Sequence, residues 1–343
     1  MPSAPRHTFG ESKDGSGKIA GPSLSPAAAS PMMNKEIPSQ GAGIMEASYT
    51  SLTAEQSRKR ERLLEILRGL KSVAVAFSGG IDSTVVAKAA HLALGDRAVA
   101  VTADSASVPR SELEDARRLA QQIGIRQQII VTDEFNNDNY VRNDGTRCYF
   151  CKTELYDQIQ SLLPKLGVAV ICSGANLDDQ GDYRPGLKAA AEHAVRHPLQ
   201  EAGCTKADVR ALARNWDLST WDKPASPCLS SRLAPGVEVT PERTSRVEAA
   251  EAYLKTLGYR ECRVRLHEAE LARIEVPAAE LARLVDPPVR AELVSRMKEL
   301  GFQYITLDLE GFRSGSLNAL VGVETKRLFA HEDPSRDRPE QAT

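Results

Sequence analysis

Two groups of residues in this sequence have types and spacings suited to chemistry. The first is the run Phe77-Ser78-Gly79-Gly80-Ile81-Asp82-Ser83. Adjacent glycines let a backbone turn tightly and bring several N–H groups onto one small anion. If a helix starts straight after such a turn, its unpaired N–H groups and its dipole add partial positive charge, which suits a phosphate. Ser78 and Ser83 add hydroxyl donors. Asp82 reads as a magnesium ligand or as a helix-start residue, because an acid beside bare phosphate repels it. The run lacks the Lys of Gly-x-x-x-x-Gly-Lys-Ser/Thr and the spacing of Gly-x-Gly-x-x-Gly. The plainer alternative is a glycine turn with a capping serine.

The second group is cysteines. Of the six, Cys148 and Cys151 form a Cys-x-x-Cys, and Cys228 stands in Pro224-Ala225-Ser226-Pro227-Cys228-Leu229-Ser230-Ser231-Arg232. The pair falls at a predicted helix start, where a thiol is more acidic and two thiolates can meet one metal. A redox pair, half a zinc site and part of an iron–sulfur site are all open; so is simple packing. Cys228 is the natural third ligand, since a second Cys-x-x-Cys is missing. It also suits a nucleophile, being a thiol in a Pro/Ser loop between the cations Lys223 and Arg232. Cys172, Cys204 and Cys262 read as buried or incidental.

The elements that must position these residues follow from periodicity. Val73-Ala74-Val75-Ala76-Phe77 is a short apolar run fit for a strand buried on both faces. Residues 55–70, 81–94, 110–124 and 148–163 have helical spacing, and 99–102, 128–131 and 168–172 read as further strands. The alternation predicts an α/β fold with a doubly wound, mostly parallel sheet. Ligands of such sheets sit beyond the strand C-terminal ends. That places Asp104 and Ser105, after one strand, beside the glycine turn. It also places there the run Ser173-Gly174-Ala175-Asn176-Leu177-Asp178-Asp179, after another. A polar turn with one cation, Asp182-Tyr183-Arg184-Pro185-Gly186, follows. From about residue 220 the rhythm changes. Thr240-Pro241-Glu242 opens a helix with a capping Thr and Pro in the first turn. Segments 260–266 and 271–276 look like strands, 288–300 helical, and 304–307 strand-like, which makes a smaller C-terminal α+β domain. Arg263 and Arg265 alternate along a strand, so both face one side and suit phosphate or carboxylates; a solvated strand face is the alternative. Glu251, on the preceding helix, orients an Arg or lies on the surface. Arg313 and Asp308 are weaker candidates. The expected division is a disordered extension at 1–52, a nucleotide-binding domain at 53–220, a cysteine-bearing linker at 221–239, an α+β substrate or oligomerisation domain at 240–325, and a loose tail at 326–343.

Composition narrows the class. The chain has 343 residues, 41% of them apolar, and 44 basic against 46 acidic residues give a net charge of -2. No apolar run reaches membrane-spanning length, and there is no global basic surplus to draw a nucleic acid. Residues 1–50 are rich in Ser, Pro, Ala and Gly, but Glu11, Asp14, Glu36 and Glu46 fit poorly with a transit peptide. A cytoplasmic protein is the default expectation.

The Ser-Gly-Gly-x-Asp-Ser turn resembles the PP-loop of the ATP pyrophosphatase superfamily. Taken with residues 182–186, the Cys228 segment, Arg263-Val264-Arg265 and Thr306-Leu307-Asp308-Leu309-Glu310-Gly311-Phe312-Arg313-Ser314-Gly315, it resembles the LarE family of ATP-dependent sulfur transferases, over about residues 55–325. The resemblance implies ATP and Mg2+ as cofactors, with Ser78, Gly79, Gly80, Asp82, Ser83, Asp104 and Gly174 at the nucleotide. It implies a small nucleotide substrate, pyridinium-3,5-biscarboxylic acid mononucleotide, held by Arg184, Ser231, Arg232, Glu251, Arg263 and Arg265. A carboxylate would be adenylated and sulfur would displace AMP, with Cys228 as the catalytic residue. One branch of the family gives up the sulfur of this cysteine. Another holds a [4Fe-4S] cluster on three cysteines, and Cys148, Cys151 and Cys228 resemble that branch. A homo-oligomer and partner enzymes of nickel-pincer cofactor synthesis are expected. Three rival readings stand beside this one: a PP-loop tRNA thiolase with a cluster, an ammonia-using PP-loop ligase that needs no Cys228, and a nucleotide-binding sensor.

Overall fold

The computed structural model describes residues 51–180, 184–224, 226–313 and 315–322. Residues 1–50 of the expected extension, the tail at 326–343, and Asp182, Tyr183, Ala225 and Ser314 of the motifs lie outside the described residues. Helix α1 (Ala54–Leu70) starts at a capping box in which Thr53 and Gln56 satisfy each other's backbone N–H groups. Strand β1 (Val73–Ala76) leads through the glycine turn into α2 (Ile81–Leu94). The chain continues through β2 (Ala98–Asp104), α3 (Arg110–Ile123), β3 (Arg126–Val131), the single turn α4 (Asp138–Val141), α5 (Arg147–Leu166) and β4 (Val170–Cys172). Three more helices follow: α6 (Pro185–Glu192), α7 (Pro198–Glu201) and α8 (Lys206–Asn215).

The four strands run parallel in the order β3-β2-β1-β4. The alternation of side chains along them builds two cores. Val73, Val75, Ala98 and Ala100 pack on Leu63 and Leu67 of α1, Val85 and Ala89 of α2, and Val209 and Leu212 of α8. Ala74, Val99 and Val101 face the other way, against Leu155 and Ile159 of α5 and Ala189 of α6. Residues one apart thus point to opposite faces and both faces are covered, which is why these strands read as unbroken apolar runs. The expected α/β doubly wound sheet is the observed one, and all four strands are parallel. The order reverses direction between β1 and β4, so the crevice beyond their C-terminal ends is the switch point at which such sheets take ligands.

The second half holds α9 (Pro241–Thr256), β5 (Arg263–His267), β6 (Leu271–Glu275), α10 (Leu281–Val285), α11 (Pro287–Glu299) and β7 (Tyr304–Leu307). Thr240 caps α9 through Arg243 N at 3.3 Å, with Pro in the first turn, as the sequence predicts. β5 and β6 are antiparallel, and β6 and β7 parallel, giving the smaller mixed sheet. Its core joins Val247, Ala250 and Leu254 of α9 to Val264, Leu266, Ala272, Ile274 and Met297. Leu229, Leu233 and Ala234 of the cysteine-bearing segment are buried in that same core. No helix of the described residues is long and apolar enough to cross a membrane.

Candidate functional site

The glycine turn closes on itself through serines. Ser78 N donates to Ser83 Oγ at 3.3 Å, the two hydroxyls lie 3.2 Å apart, and Ser83 Oγ donates to the Gly80 carbonyl at 3.0 Å. Gly79 has a φ of +72°, and a Cβ there would stand 3.1 Å from the Ala116 backbone of α3. Both the conformation and the close approach require glycine. Gly80 is the N-cap of α2 and has no side chain to fill the first turn, so the helix's free N–H groups stay open to an anion.

The loops after the other strands converge on this edge. A Cβ on Gly174, after β4, would lie 2.7 Å from Ser83 N, so that loop presses directly onto the start of α2. Asn176 Nδ2 donates to Asp82 Oδ1 at 3.0 Å, while Asp82 Oδ2 takes the ammonium of Lys206, at the start of α8. Asp82 is therefore a first-turn helix residue already paired with a cation. Asp104, at the end of β2, is likewise paired, with Arg110 at 2.6 Å. Ser173 Oγ lies 2.7 Å from Nδ1 of His197, whose burial holds the imidazole below its ordinary pKa. Arg184 pairs with Asp179 at 2.8 Å. A Cβ on Gly186, two residues on, would stand 3.0 Å from Lys152 Cγ, so this turn lies against the start of α5, where Cys148 and Cys151 sit.

The Cys228 segment is tied to both halves of the fold. Leu229 N donates to the Ser107 carbonyl, just beyond β2, at 2.8 Å. Arg147 Nη1 donates to the Ser230 carbonyl at 2.8 Å, and the Tyr140 and Ser230 hydroxyls meet at 2.7 Å. Asn143 Nδ2 reaches the carbonyls of Ala234 at 2.8 Å and Val237 at 3.0 Å. On the other side Ala234 N donates to the Leu266 carbonyl of β5 at 2.9 Å. Ser231 Oγ donates to the Cys228 carbonyl at 2.6 Å. Arg232 is 2% exposed: its Nε meets Glu251 Oε1 at 3.0 Å, and its Nη1 meets the carbonyls of Cys228, at 3.0 Å, and Pro227. Glu251 thus orients an Arg, the one beside Cys228, and it also takes the Val264 N–H at 3.2 Å. Arg265 is held by Glu275 at 3.0 Å and donates to the Ser231 carbonyl at 3.2 Å. Arg263 stacks its guanidinium on Phe312 at 5.1 Å, and burial followed by the neighbouring charge of Arg232 lowers its pKa. Arg232, Arg263 and Arg265 therefore gather around the thiol loop.

Cys148 is exposed, Cys151 and Cys228 are half-buried, and Cys172, Cys204 and Cys262 are buried as expected. The first three are close enough to feel one another electrostatically. Burial pushes the Cys151 thiol up to about 12, with Lys152 opposing and Glu134, Cys228 and Cys148 adding to the rise. Lys152 keeps its proton more firmly than usual: burial works against the charge, but Cys151, Tyr156, Cys148 and Cys228 outweigh it. Cys148, Cys228, Tyr140 and Cys151 likewise raise Arg147 against its burial. Thiols, cations and a buried tyrosine thus share one region. Among the described residues, however, no group of three or more His, Cys, Asp or Glu side chains is arranged to hold a metal ion.

Several residues here escape a reading of the sequence. Lys206 follows Thr205 in a Thr-x-x-Asp capping box, which is a signal for a helix but not for a phosphate-side cation. Tyr140, Asn143 and Glu134 sit in a polar stretch that reads as solvated loop, and only the fold buries them.

A family model described as NAD synthase matches residues 63–140, which carry the glycine turn and its neighbouring strands. The uncharacterized protein slr1717 of Synechocystis sp. is 47% identical over 263 residues, 77% of this chain and 98% of that protein. A tRNA-specific 2-thiouridylase of Parvibaculum lavamentivorans is 27% identical over 192 residues, 45% of this chain and 48% of its own length. Pyridinium-3,5-bisthiocarboxylic acid mononucleotide synthase of Lactiplantibacillus plantarum is 41% identical over 279 residues, 81% of this chain and 100% of that enzyme. With that identity over the full length of a synthase, and with the glycine turn and the thiol segment in the places described, this chain belongs to the LarE family of PP-loop, ATP-dependent sulfurtransferases.

Proposed function

We propose that this enzyme adenylates a carboxylate of pyridinium-3,5-biscarboxylic acid mononucleotide and replaces the activated oxygen with sulfur delivered at Cys228. The observation that carries this reading is the bond from Leu229 N to the Ser107 carbonyl, which puts the residue next to Cys228 at the C-terminal edge of the nucleotide sheet. A carboxylate oxygen attacks the α-phosphorus of ATP and pyrophosphate leaves. A sulfur nucleophile then attacks the acyl carbon and AMP leaves with the oxygen. Carboxylates are poor electrophiles, and adenylation supplies the leaving group. The N–H groups at the start of α2 stabilise the departing pyrophosphate, and Gly174 keeps the opposing loop close enough to shape that cradle. Asp82 and Asp104, released from Lys206 and Arg110, would hold Mg2+, which would neutralise phosphate charge as it develops, and the two freed cations would suit the phosphates in turn. Arg263 and Arg184 take the substrate's anionic groups. Arg232, Glu251, Arg265 and Ser231 hold the Cys228 turn from within.

Two sulfur sources fit the residues. In one, Cys228 Sγ attacks the acyl carbon as AMP leaves, and the Cβ–Sγ bond of the resulting thioester then breaks by elimination with loss of the Cα proton, leaving dehydroalanine and the thiocarboxylate; in the other, the nucleophile would be a sulfide held by a [4Fe-4S] cluster. The bond from Arg147 Nη1 to the Ser230 carbonyl, which ties the start of α5 with Cys148 and Cys151 to the Cys228 turn, favours the second: these thiols would supply the donor set, and their side chains would have to close together to bind it. The enzyme serves a nickel-pincer cofactor pathway as a cytoplasmic homo-oligomer in this reading, with 53–220 as its nucleotide domain and 240–325 as its substrate domain. The test is anaerobic purification with iron and sulfide analysis, followed by assays of pyrophosphate release and thiocarboxylate formation. Wild type is expected to do both, and Cys228→Ser to release pyrophosphate without forming thiocarboxylate. A Cys228→Ser enzyme with full turnover would support an ammonia-using ligase. Full sulfur transfer by iron-free protein would return the source to Cys228 itself.

A further inference from the structure

Glu134 is 2% exposed and lies just past the end of β3. Its Oε1 accepts a hydrogen bond from Ser107 Oγ at 3.0 Å. Ser107 Oγ also meets Ser105 Oγ at 2.7 Å, and Ser107 N donates to that same Ser105 oxygen at 3.1 Å. The Ser107 carbonyl in turn receives the N–H of Leu229, at 2.8 Å. A continuous path thus runs from a buried carboxylate, through one serine, to the residue after the thiol. The other carboxylate oxygen, Oε2, is buried with no partner among the described residues. An unmatched buried polar atom costs on the order of 1–3 kcal/mol, so packing alone would favour an apolar side chain at this position. A side-chain carboxyl oxygen, however, grips the Ser107 hydroxyl by accepting its hydrogen bond, which no apolar side chain can do. That grip fixes the direction of the Ser107 loop, and with it the carbonyl on which the Cys228 segment hangs.

We infer that Glu134 is a positioning residue for sulfur transfer: through Ser107 it sets where the Cys228 segment meets the nucleotide edge. The inference rests on the sulfur-transfer reading and assigns Glu134 no contact with ATP or substrate. Adenylation needs the glycine turn and the phosphate-side cations, whereas sulfur transfer also needs the thiol in place. The two half-reactions should therefore separate.

The experiment compares Glu134→Ala, Glu134→Gln and Ser107→Ala with wild type in single-turnover assays of pyrophosphate release and thiocarboxylate formation. Misplacement by about 1 Å can slow a reaction by about 10²-fold. Glu134→Ala and Ser107→Ala are expected to slow thiocarboxylate formation by that order and to change pyrophosphate release little. Glu134→Gln keeps an acceptor oxygen for Ser107 and is expected to recover most of the loss. Equal losses in both half-reactions, no loss in either, or a Gln variant as impaired as Ala would overturn the inference. If Glu134→Ala does not fold, Ser107→Ala decides the point, because it removes one hydroxyl and leaves the backbone carbonyl. A second readout needs no turnover: the rate at which iodoacetamide alkylates Cys228 in air-purified protein, followed by peptide mass spectrometry. It should rise several-fold in the Ala variants and hold in Glu134→Gln; unchanged rates in all three would also overturn the assignment. A wild type that performs neither half-reaction would sink the sulfur-transfer reading, and the alkylation series would still decide the positional role.

Discussion

A Cβ on Gly174 would sit 2.7 Å from Ser83 N and 3.0 Å from Ser83 Cα, both backbone atoms that cannot step aside. Gly174→Ala should push the loop after β4 off the start of α2. Overpacking of this kind costs about 1–3 kcal/mol. The expected outcome is a lower melting temperature together with a rise in KM for ATP of about tenfold or more, read by thermal melts and ATP titration of pyrophosphate release. A normal KM would mean that this contact does not shape the nucleotide cradle. At this scale the glycine turn and Cys228 were legible because unusual residue types stand in unusual spacings. The partners of those residues were not. Glu251 and Arg232 lie 19 positions apart, and nothing local says that one is buried against the other. Glu134 sits among Asp, Asn and Phe, where a carboxylate reads as solvated; its burial is a property of the whole fold.

Among elements, those built on strict periodicity were read nearly to the residue. α2 begins at Ile81 and ends at Leu94 as predicted, since the glycine turn starts it and Gly95 ends it. β1 and β2 stand out because a strand covered on both faces carries apolar residues without interruption. The stretch from α6 to α8 is harder to read, because its helices are short and two of them start at Pro. Yet these helices bring His197 and Lys206 to the site. His197 also predicts a pH effect. Burial lowers its pKa in the folded protein, so between that value and about 6.5 the unfolded chain binds more protons. Its contribution is full above the unfolded pKa and is lost as pH falls below it. Urea midpoints measured from pH 7.5 to 5 should fall with pH, and the slope should shrink by up to about one proton in His197→Gln. An unchanged slope would place the titration elsewhere, with His267, whose burial also lowers its pKa, as the next candidate.

For the molecule as a whole, charge balance separates the two thiolation chemistries that its relatives represent. The 2-thiouridylase relative matches 45% of this chain, and the net charge of -2 comes with no surplus of cations to hold a polyanion. The protein should pass through a tRNA column at about 0.15 M salt without retention. Tight binding that weakens steeply with added salt would favour an RNA substrate instead.

The stretch from Leu229 to Ala234 hangs by one backbone N–H from the edge of the parallel sheet and by another from β5 of the mixed sheet. Cys228 stands at the first of these moorings, with almost no slack before the second. A shift of either anchoring carbonyl, Ser107 or Leu266, is therefore felt within a few residues of the sulfur, and the accessibility of the Cys228 thiol reports on both anchors.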